Sequence, residues 1–385
     1  MADDALSRDR AGIVAMPPRG YARAVEFRYA SLPHRVIFGA GSSRTSLAAE
    51  VEALGAERLM VIASDRDTAL VDELLAPWRD RVAVRFTGVR PHVPDSVAAE
   101  ARRMAVDHRV DGLVSIGGGS TTGTAKIVAL TTELPIIAVP TTYAGSEMTP
   151  MWGMTTAARK ETGVDRRVLP ATVVYDSDLV ATLPVDLAVA SGLNAMAHCV
   201  EAYWTEASNP IVRLIATEGV QALAEGLRGL AGTERASGAS AADAGTDTAA
   251  ARERLLYGSF LAGMAFATAG SGLHHKICHA LGGAFDLPHA QTHAVVLPHV
   301  LAFNAVAAPE SAAMMARALG ADDAVAGLRD LASAIGAPRG LAELGLTREQ
   351  LTEAIDLVAG RLPIANPRPV DRADVEAILT GAFSG

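Results

Sequence analysis

The sequence predicts a two-domain protein, an N-terminal α/β half built on a Rossmann-like parallel sheet followed by an all-α C-terminal half. Three observations predict it. Short apolar runs alternate with helix-patterned stretches through the first half, the β-like runs largely stop after Pro184, and 385 residues are more than one ordinary core fills.

Residues 1–25 read as a polar N-terminal extension punctuated by Pro17, Pro18 and Gly20. From 26 to 183 the β-like runs are RVIFGAG, RLMVIAS, VAVRFTGV, DGLVSIGGGS, PIIAVPTT and ATVVYD. Each is bounded by Gly, Pro or Asp, and helical patterns such as SLAAEVEAL and SVAAEARRMAV separate them. That alternation is the signature of βαβ units, whose strands are buried on both faces. From 184 to 385, Ala- and Leu-rich segments with helical periodicity take over, including LAVASGLNAMAHCVEAYW, IVRLIATEGVQALAEGL, ERLLYGSFLAGMAFA and ADVEAILTGAF. Residues 231–250 (AGTERASGASAADAGTDTAA) offer few large apolar groups and are expected to form a mobile surface loop.

A net charge of −9 gives no electrostatic footprint for nucleic acid, and no apolar run approaches the roughly 20 residues of a membrane span. The first residues, MADDALSRDR, lead into no apolar signal core, so a cytoplasmic location is expected. Two cysteines, Cys199 and Cys278, cannot make a disulfide framework and read first as small buried hydrophobes.

The segment VDGLVSIGGGSTTGTAK places Gly117, Gly118, Gly119 and Ser120 between a predicted strand and a helix running through Lys126. Glycines there let the backbone approach a pyrophosphate, and the free amides of the helix start favour its charge. The spacing departs from G-x-G-x-x-G, and a turn that merely packs tightly is the alternative. Thr141, Thr142, Tyr143, Ser146 and Thr149 follow another buried strand, where hydroxyls can reach phosphate or ribose. Asp65, after RLMVIAS, is placed to accept from a ribose hydroxyl, while Arg66 beside it suits a 2′-phosphate. NADH or NADPH is therefore the expected cofactor.

The helical half carries a second constellation. Six of the ten histidines fall in GLHHKICHALGGAFDLPHAQTHAVVLPHV: His274, His275, His279, His289, His293 and His299. His275 and His279, at i and i+4, share a helix face, as Asn194 and His198 do in SGLNAMAHCVEAYW. His274 and His299 are expected to be ordinary satisfied side chains.

Together these residues resemble the iron-containing, group III alcohol dehydrogenase superfamily, which shares its fold plan with dehydroquinate synthase, and within it the maleylacetate reductase branch. The resemblance runs from about residue 30 to the C-terminus through FGAG, GGGSTTG, PTTYAGSEMTP, KETGVDRRVLPATVVYDSDL, SGLNAMAHCVEAYW, HALGG, PHA and NPRPV. The superfamily commonly holds a divalent metal with one Asp and three His; the matching positions are Asn194, His198, His275 and His289, with His279 matching a further active-site histidine. An amide oxygen supplies a dipole but no charge, so the resemblance implies a pocket that works without a metal. Gly123, where many relatives carry Asp, is the same kind of departure.

The resemblance further implies NAD(P)H-dependent reduction of the C=C bond of maleylacetate, with chlorinated analogues as further substrates, to 3-oxoadipate in aromatic-compound breakdown. A homodimer is implied as well. Hydride adds β to the ketone, and His279 and His198 are the first candidates to stabilise the resulting enolate, with Asn194 orienting its neighbours. Lys276, Arg368 and Tyr143 are candidate contacts for the small dicarboxylate; solvated surface roles are the alternative for the two cations. The rival readings are a metal-dependent alcohol or polyol dehydrogenase, a dehydroquinate-synthase-like lyase, and a non-catalytic NAD-binding protein.

Overall fold

A computed structural model describes residues 27, 29, 31, 32, 34–156, 160–235 and 241–385. The polar extension over 1–25 lies outside the described residues. The first half comprises β1 (Arg35–Phe38), α1 (Ser42–Thr45), α2 (Leu47–Leu54), β2 (Leu59–Ala63), α3 (Thr68–Leu75), β3 (Val82–Phe86), α4 (Asp95–Asp107), β4 (Gly112–Gly117), α5 (Gly119–Thr132), β5 (Ile136–Pro140), β6 (Met151–Thr155), β7 (Lys160–Val164) and β8 (Thr172–Tyr175).

Six of these strands form one parallel sheet in the order β1-β8-β5-β4-β2-β3. The inner strands are buried along their whole length because helices cover both faces. Alternate residues serve the two faces. Val61, Val114, Ile116 and Ile137 meet Leu47, Val51, Leu74 and Leu75 on one side, and Met60, Ile62, Leu113 and Ile136 meet Ala101, Ala105, Ala125 and Val128 on the other. The chain reverses its direction of travel across the sheet between β2 and β4, so the ends of these strands open the crevice where α/β folds bind ligands.

The antiparallel hairpin β6–β7 is not anticipated by the apolar-run pattern. Its β6 residues are half-buried and too short a set to stand out; Trp152 and Met154 pack against Val93, Ala98 and Ile127, and Gly163 leaves room for the Trp152 indole, 2.7 Å from where a Cβ would sit.

The second half comprises α6 (Val185–Ala202), α7 (Pro210–Arg235), α8 (Ala241–Ala269), α9 (Leu273–Phe285), α10 (His289–Ala305), α11 (Pro309–Leu319), α12 (Ala324–Ala334), α13 (Arg348–Ala359) and α14 (Arg372–Ser384). Every residue of α6 from Ala188 to Ala202 is buried, which makes it a central helix and explains its lack of a polar face. The loop expected over 231–250 is corrected: α7 continues to Arg235 and α8 begins at Ala241, with 236–240 outside the described residues. The alanines that made this stretch poor in bulk are also the strongest helix formers.

The halves share a core. Tyr143, Met148, Val173 and Tyr175 belong to the same cluster as α6, α7 and α8. Gly263 on α8 approaches so closely that a Cβ there would lie 2.7 Å from the carbonyl oxygen of Gly145. Among the described residues, no helix is long and apolar enough to cross a membrane.

Candidate active site

The glycine turn has the geometry its composition suggests. Gly117 ends β4 at φ +150, and a Cβ would fall 2.5 Å from Thr121 Oγ1. Gly118 caps α5 in an extended conformation, with space for a Cβ closed by Thr142 at 3.0 Å. The amides of Thr121 and Thr122 return to the Gly118 carbonyl, which leaves the first two helix amides, Gly119 and Ser120, for a ligand. Thr141 N–H donates to Gly117 O at 3.1 Å, so Thr141 and Thr142 are drawn against the same turn. Asp65 and Arg66 lie exposed beyond the end of β2, and Asp67 accepts from the Ser64 hydroxyl at 2.8 Å.

Lys126, four residues past Thr122 on α5, is fully buried. Its ammonium donates to Ser146 O (2.6 Å), Thr149 O (2.7 Å), Met151 O (2.8 Å) and Thr149 Oγ1 (3.1 Å). Burial lowers its pKa to about 7, against an upward pull from buried Glu147. Lys126 therefore ties down the turn that carries Ser146. Thr149 is consumed by this clamp, since its hydroxyl also donates to Ser146 O at 3.0 Å. The sequence placed Lys126 on the helix after the glycine turn without a role; the one available signal was its place among small and apolar neighbours.

Tyr143 is buried, and its hydroxyl has no hydrogen-bond partner. Its ring is wholly inside the shared core and burial pushes the phenol up to about 12, against a downward pull from Arg252. Arg368 is committed elsewhere: its guanidinium stacks over Phe303 at 4.1 Å and bonds to Asp374 at 3.3 Å. Lys276 is exposed and acts electrostatically on Glu201.

The structure brings the histidines together from three helices. α6 contributes Asn194 and His198, α9 contributes His274, His275 and His279, and α10 contributes His289 and His293. His198 stacks on Phe266 at 4.4 Å and on His275 at 5.0 Å. His279 and His289, both half-buried, stand 6.1 Å apart in near-parallel planes, and His289 meets His293 edge-on at 4.5 Å. His299 belongs to the opposite side of α10, where its Nδ1 closes on Gly381. Cys199 packs against Gly219, whose Cβ would lie 2.7 Å from Sγ, in keeping with a hydrophobic role.

Glu201 is the site residue the sequence reading missed. It is fully buried and accepts from Gly272 N–H (2.8 Å), His274 N–H (2.7 Å) and His275 Nδ1 (2.5 Å). Burial raises its carboxyl to about 7 against the pull of these donors. Its signal was positional, because Asn194, His198 and Glu201 at i, i+4 and i+7 share one face. With Nδ1–H given to Glu201, His275 directs a lone pair from Nε2, which has no hydrogen-bond partner. His275 is thereby an acceptor. His274 also departs from expectation: it is fully buried, shares a hydrogen bond from Nε2 to His293 Nδ1 at 2.9 Å, and leaves its own Nδ1 without a partner. Burial lowers His198 and His274 to about 3 and holds His275 and His293 well below the usual imidazole range.

A sheet crevice with a glycine-capped helix, joined to a histidine-lined helical half, defines an oxidoreductase of the metal-dehydrogenase fold. The chain belongs to the iron-containing alcohol dehydrogenase family: the family models described as "Iron-containing alcohol dehydrogenase" and "Fe-containing alcohol dehydrogenase family, C-terminal" match residues 33–177 and 188–383. It is 43% identical to a maleylacetate reductase of Burkholderia cepacia, over 91% of this chain and 96% of that one. Its fold superposes on a crystal structure of maleylacetate reductase from Agrobacterium tumefaciens with a TM-score of 0.86 at 38% identity, covering 94% and 99% of the two chains. An iron-containing alcohol dehydrogenase from Corynebacterium glutamicum gives 0.86 at 46% identity, covering 94% of this chain and 98% of that one.

The residues at the family's metal positions do not fit a carboxylate-anchored dication. Asn194 offers only a neutral oxygen, buried and without a partner. The nearby buried acid, Glu201, is taken by three N–H donors. Among the described residues, His198, His275 and His289 do not form a convergent group of ligand atoms; His274, His275 and His293 do, within 4.8 Å.

Proposed function

We propose that this chain is a maleylacetate reductase, using NADH or NADPH to reduce the C=C bond of maleylacetate to 3-oxoadipate. The observation that carries the reading is the replacement of the family's acidic metal position by Asn194 within a wall of neutral imidazoles. The maleylacetate reductases at 43% and 38% identity support it.

In this reading the dinucleotide lies along Gly117, Gly118, Gly119 and Ser120, with Thr141, Thr142 and Ser146 beside it. Asp65 and Arg66 are side by side, so a ribose hydroxyl or a 2′-phosphate would each find a partner. The hydride goes to the alkene carbon β to the ketone, the π electrons move to the ketone oxygen, and the enolate then takes a proton at the α carbon. In a dry cleft fixed donors stabilise that enolate better than water does. His279 and His198 supply those donors. His279 suits the proton transfer because its half-buried ring is within reach of solvent. His275 accepts rather than donates, and with His289 and Asn194 it orients the pocket. No step runs through a metal ion. Of the cations, Lys276 remains the candidate partner for a substrate carboxylate. A homodimer belongs to the same reading.

The test is oxidation of NADH and of NADPH with maleylacetate, beside simple alcohols with NAD+, in chelator and in added zinc or iron. Turnover of maleylacetate that survives chelation is expected. Alcohol oxidation that depends on metal, without turnover of maleylacetate, overturns the reading.

A further inference from the structure

The histidine wall contains more imidazole than the family's metal positions require. His274 and His293 lie outside that set, are fully buried, and each has a ring nitrogen without a hydrogen-bond partner, as does His275 at Nε2. A buried lone pair without a partner costs free energy, so His275 Nε2, which points away from Glu201, calls for an explanation. Among the described residues, these three side chains form the group whose ligand atoms converge within 4.8 Å.

We propose that His274, His275 and His293 form a binding site for a borderline first-row dication such as Zn2+ or Co2+, displaced from the family's own metal position. Three neutral imidazoles are a sufficient donor set for zinc, with water completing a tetrahedron. Imidazole selects this class of ion over Mg2+ or Ca2+, which prefer oxygen. The outer contact is also in place: Glu201 accepts from His275 Nδ1 at 2.5 Å, which fixes the ring, raises its basicity and sends the Nε2 lone pair inward. His274 Nε2 and His293 Nδ1 now share a hydrogen bond at 2.9 Å. Where the ion binds, the proton of that bond shifts to the other nitrogen of its own ring, so both imidazoles stay neutral and both facing nitrogens become ligands. Cys278 Sγ is 3.7 Å from His274 Nε2 but does not belong to the convergent group of ligand atoms. His198 and Asn194 take no part. The inference rests on donor geometry alone and does not depend on the substrate proposed above.

The test uses the full chain, stripped with chelator and titrated with Zn2+ or Co2+. One equivalent is expected to bind. His274→Gln and His293→Gln should each weaken binding at least about 100-fold, the upper end of what loss of an outer contact alone costs. His198→Gln and His289→Gln should leave it within a few-fold. NADH binding followed by fluorescence serves as the folding control. Because a buried substitution can unfold the chain, an anomalous difference map from zinc-soaked wild-type crystals provides the independent measurement. A peak about 2.0–2.1 Å from one nitrogen of each of His274, His275 and His293 supports the site. A peak on His198 and His289, binding insensitive to His274 and His293, or no bound zinc overturns it.

Discussion

Lowering the pH should destabilise this protein for a reason located in the histidine wall. His198, His274, His275 and His293 are all held below the ordinary imidazole value by burial, the first two to about 3. A histidine whose folded pKa is depressed stays neutral in the native state, while the unfolded chain takes up a proton below about 6.5. Stability is therefore complete above that value and is lost as pH falls through it. At pH 5.5 each such group costs about 1.4 kcal/mol, so four cost about 5 to 6 kcal/mol. Glu201 opposes them, because a carboxyl raised to about 7 binds its proton in the folded state first. That returns about 2 kcal/mol between pH 7.5 and 5.5, which leaves a net loss of roughly 3 to 4 kcal/mol. The assay is urea unfolding at pH 7.5, 6.5 and 5.5 with chelator present, so that no ion competes with protons. The double variant His274→Gln/His293→Gln should lose less stability over that range, by about 3 kcal/mol. Equal midpoints and slopes at the three pH values, or imidazole NMR resonances of the native state that titrate near 6.5, would refute the reasoning.

Other consequences follow from single contacts. Gly117→Ala should lower stability by about 1–3 kcal/mol through backbone strain and a clash with Thr121; NADH affinity, read by fluorescence, should fall with it. Lys126→Met strands three carbonyls and leaves Glu147 buried without its cation. A loss of about 3–5 kcal/mol is expected in denaturant unfolding, with KM for NADH rising as the Ser146 turn loosens. His279→Ala should reduce kcat for maleylacetate by about 10² or more while cofactor affinity stays within a few-fold. Turnover within a few-fold of the parent enzyme would remove His279 from its assigned role.

The fold plan was open to sequence reading because its signals are local. Six apolar runs bounded by Gly, Pro or Asp are the six sheet strands, since a strand covered on both faces must be apolar along its length. The β6–β7 hairpin escaped because half-buried strands carry no such run, and 231–250 was misread because its small residues suit a helix as readily as a loop. Asn194, His198, His275 and His279 could be paired by their i, i+4 spacing, which a helix converts directly into a shared face.

What lies between helices was decided only by the tertiary structure. That Glu201 on α6 would fix the tautomer of His275 on α9, that His274 would meet His293 across α9 and α10, and that Lys126 would be saturated by carbonyls twenty or more residues away depend on packing. The same holds for the burial of the Tyr143 ring in the shared core and the stacking of Arg368 over Phe303. Periodicity specifies which face a residue occupies; the partner across that face, and hence the charge state and role of a buried group, is set by burial and by donors that arrive from distant segments.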